Sequence, residues 1–195
     1  PEDTLQRPGS IGKPTFGVEA KIVGPTGEDL ASGQVGELVF RTSRLMREYY
    51  GNPEKTDETI KNGWLYTGDL LKTDEDGYFY IVDRMKDMVT SGGENIYPVE
   101  IEDALMDHPD IYDVACIGYP DDRLVEIVLA VVQPKEGKNL TEEDIIEFAK
   151  TKLSMYKVPR KILFDEVPRN PTGKLMKPQL REKYTGRKEA FKKLD

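Results

Sequence analysis

Three stretches of the 195-residue sequence pair a charged or conformationally free residue with a frame able to present it to a ligand. In "GWLYTGDL", residues 63–70, Asp69 follows Thr-Gly at the end of a β-like run. A carboxylate has two acceptor oxygens, so it can take hydrogen bonds from both hydroxyls of a vicinal diol. Gly68 leaves room for a ligand beside the backbone. In "KDMVTSGGENIYP", Gly92 and Gly93 permit positive φ and close approach. In "VPRNPTGKLMKP", residues 167–178, Pro168, Pro171 and Gly173 hold an irregular loop from which Lys174 projects. A turn needs its proline and glycine; it does not need that lysine. A lysine there is a point charge suited to stabilising negative charge on a phosphate or a carboxylate. Each stretch taken alone also has a plain structural reading: an aspartate closing a turn, a hairpin turn, a solvated lysine.

The elements that must position these residues fall into two sets. "GVEAKIV" and "VGELVFR" partly alternate and flank the turn-rich "GPTGEDLASGQ", which predicts β structure over residues 17–41. Residues 44–62 read as partly helical, with "NPEKTDETI" starting at an Asn-Pro boundary. "GWLYTGDLLKTDEDGYFYIVDR" predicts strand, Asp-Gly turn, strand. After Arg84 the pattern changes. A short strand, the Gly-Gly turn and a second extended piece lead into "PVEIEDALMDHP", a helix with Pro98 at its first position and Ile101 and Leu105 on one face. "YDVACIGYPD" and "EIVLAVVQP" read as buried strands. "LTEEDIIEFAKTKLSMYKVP" predicts a helix capped by Thr141 with Asp144 completing a capping box, and with Ile145, Phe148, Ala149 and Leu153 as its apolar stripe. "RKILFDEVP" predicts a further strand, and residues 177–194 a terminal helix weakened at Gly186.

The fold class is therefore α+β. An antiparallel β subdomain over residues 1–85 is followed by a compact α+β lobe over residues 86–195, with a small central sheet flanked by helices in the order β, α, β, β, α, β, α. The boundary falls in "DRMKD", residues 83–87. The first part is too short and too β-rich for a doubly wound domain.

Composition bounds the function. Hydrophobic residues make up 37% and charged residues 33%, as in a soluble globular protein. No apolar run approaches the roughly 20 residues of a membrane helix, and the N-terminus lacks a signal-peptide layout. Cys116 is the single cysteine and His108 the single histidine, so an internal disulfide and a Cys/His zinc site are excluded. No metal-ligating set is expected. These features fit a cytoplasmic location. Cys116 in a strand and His108 beside Pro109 at a helix end, where a cation is favourable, both read as structural. The net charge of −8 is uneven: residues 1–168 carry 19 Lys+Arg against 33 Asp+Glu, and residues 169–195 carry 9 against 3. The acidic body argues against nucleic-acid binding. The basic tail suits a phosphate-bearing ligand or a solvated helix face equally.

Taken together, the stretches resemble the C-terminal portion of the acyl-adenylate-forming superfamily, and within it the AMP-forming acyl-CoA synthetases. "GSIGKPTFGVEAKIV", "GELVFR", "YYGNPEKT", "GWLYTGDL", "DGYFYIVDRMKDMVTSGGENIYPVEIE" and "PRNPTGK" occur in family order and spacing. The resemblance implies that Asp69 grips the ribose of ATP or AMP and that Arg84 also contacts it. It implies a hinge at Lys86, a pantetheine-channel turn at Ser91-Gly92-Gly93, and an adenylation lysine at Lys174. It implies ATP, Mg2+ and coenzyme A as cofactors and a carboxylic acid as substrate. The family's phosphate loop and its Tyr-Gly-x-Thr-Glu stretch are absent from these residues. The chain is therefore expected to be a fragment, inactive alone and completed by an N-terminal domain of the same polypeptide. Two alternatives stand beside this reading: an adenylation domain loading a carrier protein, and a non-catalytic stand-alone binding module.

Overall fold

Alternating apolar residues build two separate sheets. A computed structural model describes residues 6–187 and divides into two units, Pro1–Met85 and Lys86–Asp195.

The first unit comprises β1 (Ser10–Gly12), β2 (Val18–Val23), β3 (Gly36–Thr42), α1 (Pro53–Thr59), β4 (Ile60–Lys61), β5 (Trp64–Thr73) and β6 (Phe79–Arg84). The sheet order is β1-β6-β5-β3-β2, with β4 paired to β5, and every pairing is antiparallel. Asn52 caps α1 by accepting the Lys55 N–H at 3.0 Å, and Pro53 takes a first-turn position where its missing donor costs nothing. The "DEDG" turn joins β5 to β6. Asp74 Oδ1 accepts the N–H groups of Asp76 and Tyr78, and Gly77 takes the left-handed conformation that closes the turn. Ile22, Leu71 and Phe79 form the buried centre of this unit.

The second unit comprises β7 (Val89–Ser91), β8 (Glu94–Ile96), α2 (Pro98–Met106), β9 (Ile111–Asp121), β10 (Val125–Pro134), α3 (Glu142–Lys152), β11 (Lys161–Phe164) and α4 (Lys177–Thr185). Strand β10 is central. β9 runs antiparallel along one edge; β11, parallel, and the end of β7 share the other. Residues on β9 and β10 alternate between two cores. Val114, Cys116, Val128, Ala130 and Val132 pack with Ile101 and Leu105 of α2 and with Ile145 and Ala149 of α3. Ala115, Ile117, Leu129 and Val131 pack with Leu180 of α4. Both sheet faces are thus covered, each buried Leu, Ile or Val contributing about 1.5–3 kcal/mol. The α+β architecture matches the sequence expectation.

The caps follow the sequence as well. Thr141 Oγ1 accepts the Asp144 N–H, and Asp144 accepts the Thr141 N–H, which closes the capping box. Gly186 ends α4 in the left-handed conformation. Of the predicted terminal helix, residues 188–194 lie outside the described residues. Cys116 is fully buried. The His108 ring meets Phe148 edge-on at 4.8 Å, and its Nδ1 accepts the Asp110 N–H. The ring therefore packs as an aromatic against α3, a structural placement.

Candidate functional site

In the first unit a bulge sets the diol-type aspartate. Pairing of β5 with β3 slips register across Thr67-Gly68-Asp69, and its pairing with β6 slips between Leu70 and Leu71. Gly68, at φ +71°, supplies the conformation, and its carbonyl accepts the Met85 N–H at 2.8 Å. Its own N–H donates to Glu37 Oε1 at 2.8 Å. Burial pushes the Glu37 carboxyl above its ordinary range, with the Gly68 N–H opposing. Thr67 Oγ1 donates to the Leu38 carbonyl and accepts the Asp69 N–H. These bonds fix the root of Asp69.

Asp69 and Arg84 face each other across β5 and β6, with Arg84 Nε 3.4 Å from Asp69 Oδ1. Their side chains are 42% and 45% exposed, so both retain hydrogen-bonding capacity for a ligand. A carboxylate that accepts and a guanidinium that donates, side by side, match the two hydroxyls of a ribose. Lys86 is exposed in the turn that follows, between the two units.

In the second unit Gly92 and Gly93 form the β7–β8 turn, at φ +59° and +88°. Both are exposed. A Cβ added at Gly93 would meet nothing within 4 Å, and one at Gly92 would meet only Leu124 Cδ2 at 3.2 Å. The β9–β10 hairpin tip braces this turn: Gly92 N–H donates to the Leu124 carbonyl at 3.0 Å, and Val125 pairs with Ser91. Val125 itself sits at φ +71°, a conformation that is strained for a β-branched residue. Glu126, buried, accepts the Thr90 N–H.

Lys174 stands on a differently built turn. Asn170 Oδ1 accepts the N–H groups of Thr172 and Lys174 and the Thr172 hydroxyl; Gly173 N–H donates to the Asn170 carbonyl. Arg169 and Leu175 bridge the base of the turn. Arg169 also forms a two-pronged ion pair with Asp113 of β9. Beyond the turn, α4 is tied at successive points. Lys177 Nζ lies 2.8 Å from Glu102 Oε1 of α2, and Arg181 Nη1 lies 2.8 Å from Asp87, all four side chains being close to fully buried. Lys183 and Tyr184 both bond Asp165. Lys174 is exposed, and among the described residues its ammonium forms no ion pair. Asp121, at the far end of β9, accepts the Leu124 N–H at 2.8 Å at the hairpin tip, roughly 26 Å along the strand from Asp113.

Sequence reasoning singled out the presented residues and missed their supports, Glu37, Asp113, Arg169 and Glu126. Glu37 stands in the quoted "GELVFR" and Arg169 in "PRNPTGK", but only tertiary pairing gives them tasks. Among the described residues no cluster of three or more His, Cys, Asp or Glu side chains is arranged to hold a metal ion, and no helix is long and apolar enough to cross a membrane.

An acid–arginine pair thus lies in one unit and a presented lysine in the other. Residues 1–50 match the family profile AMP-binding enzyme, and residues 100–174 match the AMP-binding enzyme C-terminal domain. The chain belongs to this family of adenylate-forming enzymes. It is 43% identical over 185 residues to the long-chain-fatty-acid–CoA ligase FadD13 of Mycobacterium tuberculosis, covering 94% of this chain and 36% of that one. It is 42% identical over 178 residues to the fatty acid–[acyl-carrier-protein] ligase ScoC of Streptomyces coeruleorubidus, covering 91% and 34%. Among solved structures, ATP-bound MatB from Rhodopseudomonas palustris superposes with a TM-score of 0.84 at 37% identity, covering 91% of this chain and 36% of that one. The chain thus spans about a third of the length of these relatives.

Proposed function

We propose that the polypeptide carrying this chain is an AMP-forming acyl-CoA ligase, with this chain supplying part of its ribose site and its adenylation lysine. The observation that carries the reading is Lys174: a charge with no internal ion pair among the described residues, held at the tip of a turn that side chains brace. In the first half-reaction a carboxylate oxygen attacks the α-phosphorus of ATP. The bond to pyrophosphate breaks, and acyl-AMP forms. Both reactants are anionic, so a cation between them stabilises the transition state, and the Lys174 ammonium fills that role. Asp69 and Arg84 hold the ribose hydroxyls and so orient the nucleotide.

In the second half-reaction a thiol attacks the acyl carbonyl and AMP leaves. Gly92 and Gly93 offer bare, open backbone past which a narrow pantetheine arm can lie. Rotation of the second unit about Lys86 would exchange one turn for the other. Magnesium accompanies ATP as substrate in this reading, and no step is assigned to protein ligands for it.

The name of the long-chain fatty-acid ligase relative supports free coenzyme A as acceptor and a fatty acid as substrate class. The carrier-protein ligase at similar identity supports a second reading, in which the pantetheine is protein-bound. The test uses the full-length polypeptide with a panel of carboxylic acids, ATP and either acceptor. Lys174→Ala is expected to lower acid-dependent pyrophosphate release by about a hundredfold or more. Unchanged release would remove Lys174 from the chemistry.

A further inference from the structure

Arg169 holds the Lys174 turn through contacts that the reading above leaves without a task. Its Nε lies 2.6 Å from Asp113 Oδ2 and its Nη2 2.9 Å from Asp113 Oδ1. Its third donor group, Nη1, bonds the carbonyl of Gly173 at 2.6 Å. Asp113 is 9% exposed and rooted in β9, where its Oδ1 also accepts the Val114 N–H at 2.9 Å. One planar guanidinium therefore spans from the rigid end of a central sheet to the peptide group joining Gly173 and Lys174.

That peptide group is the one most in need of restraint. Gly173 sits at φ +83° with nothing within 4 Å of where a Cβ would stand, so sterics alone do not hold it. Proline at position 171 fixes φ one residue before Thr172, and Asn170 fixes the Thr172 and Lys174 amides. Only Arg169 among the described contacts grips the Gly173 carbonyl. Lys174 carries a flexible four-carbon stem, so freedom at its root multiplies the volume its ammonium samples.

We propose that Arg169, clamped on Asp113, is a positioning residue for Lys174. It touches no substrate. It acts by fixing the root of the lysine, so the ammonium arrives at the reacting carboxylate and phosphate in one place. The proposal rests on the reading of Lys174 as the adenylation cation. Loss of the clamp leaves the lysine present but less often in place, which lowers kcat of adenylation and leaves KM for acid and ATP nearly unchanged. Arg169→Lys does not restore the rate, because an ammonium cannot bond two carboxylate oxygens and a carbonyl in one plane.

The experiment separates the half-reactions in the full-length polypeptide. Pyrophosphate release and, independently, consumption of supplied acyl-AMP by the thiol are measured for Lys174→Ala, Arg169→Ala, Arg169→Lys and Asp113→Asn. The expected result is a fall of about 10- to 100-fold in adenylation kcat for Arg169→Ala and Arg169→Lys, a fall in the same direction for Asp113→Asn, and thiol transfer within about twofold of the parent. Normal adenylation in Arg169→Ala beside an inactive Lys174→Ala overturns the clamp and leaves the proposed function standing. An unaffected Lys174→Ala overturns both. Equal loss in both half-reactions marks a general loss of fold and also overturns positioning. Should Arg169→Ala not fold, Asp113→Asn keeps the shape of the site, and unchanged pyrophosphate release in that variant rejects the proposal.

Discussion

Two glycine-bearing turns of the second unit, at Gly92–Gly93 and at Gly173, are built on opposite plans. The turn before Lys174 is held by side chains: Asn170 inside it, Arg169 on Asp113 behind it, and Lys177 on Glu102 after it. The Gly92–Gly93 turn is held by backbone, through the Gly92 N–H on the Leu124 carbonyl and the Ser91–Val125 pairing. Under the proposed function, the difference follows from what each would offer. A turn that delivers a charge has to fix the root of one side chain, and charge-assisted bonds do that most strongly. A turn that offers open backbone has to keep side chains away, so its supports come from a neighbouring hairpin. The second plan also tolerates strain, since Val125 is held at φ +71° while 54% exposed.

The comparison is broken most directly at Lys177. Its ammonium and the Glu102 carboxylate are both nearly buried, and the same carboxylate oxygen accepts the Cys116 N–H at 2.7 Å. Lys177→Met keeps most of the volume and removes the charge, leaving a buried carboxylate without its cation. We expect a loss of about 3–5 kcal/mol in urea unfolding of the chain. A loss below about 1 kcal/mol would mean that packing, not the pair, anchors the arm behind Lys174.

The backbone-held turn gives smaller effects with opposite signs. Val125→Gly relieves the strained φ and surrenders little burial, so stability is expected to rise by about 0.5–1 kcal/mol after the greater freedom of glycine in the unfolded chain is counted. Gly93→Ala meets no atoms but forces alanine to φ +88°, for a loss of about 1 kcal/mol. Thermal unfolding of both variants checks the pair. A drop in Val125→Gly would show that its isopropyl group packs usefully despite its exposure.

The sequence made the elements legible because their signals are local. Pro98, the Thr141–Asp144 box, the "DEDG" turn and the period of "YDVACIGYPD" each depend on neighbours within a few residues. The exposure of Lys174 was legible too, since its turn needs the proline and glycine but not the charge. The supports were not. Nothing in the sequence around Glu102 marks it for pairing, yet it is buried against Lys177, 75 positions away in sequence. Arg169 reads as one more cation in a basic tail until Asp113 is beside it. Val125 carries no sequence sign of its left-handed backbone, because a valine there is what local preference argues against. Long-range pairing is what periodicity and turn chemistry leave out.

The finest test of the side-chain plan is titration of its last tie. Asp165 accepts from Lys183 and Tyr184 at the far end of α4 and from the Glu166 N–H. Those contacts, Lys183 first, pull its carboxyl down to about 2. An unfolded aspartate titrates near about 3.9. The folded value is the lower one, so the unfolded chain binds the proton first as pH falls. The stabilisation is complete above about pH 4 and disappears as pH drops through about 2. Asp165 is partly exposed, which screens the pair and keeps the effect modest. At pH 6, Asp165→Asn is expected to melt roughly 2–4 °C below the parent chain. That gap should close between pH 4 and pH 2, because only the parent has a charge to lose. A gap that stays constant over this window would assign the tie to the neutral hydrogen bond from Tyr184, and the arm behind Lys174 would then be held at this end without help from charge.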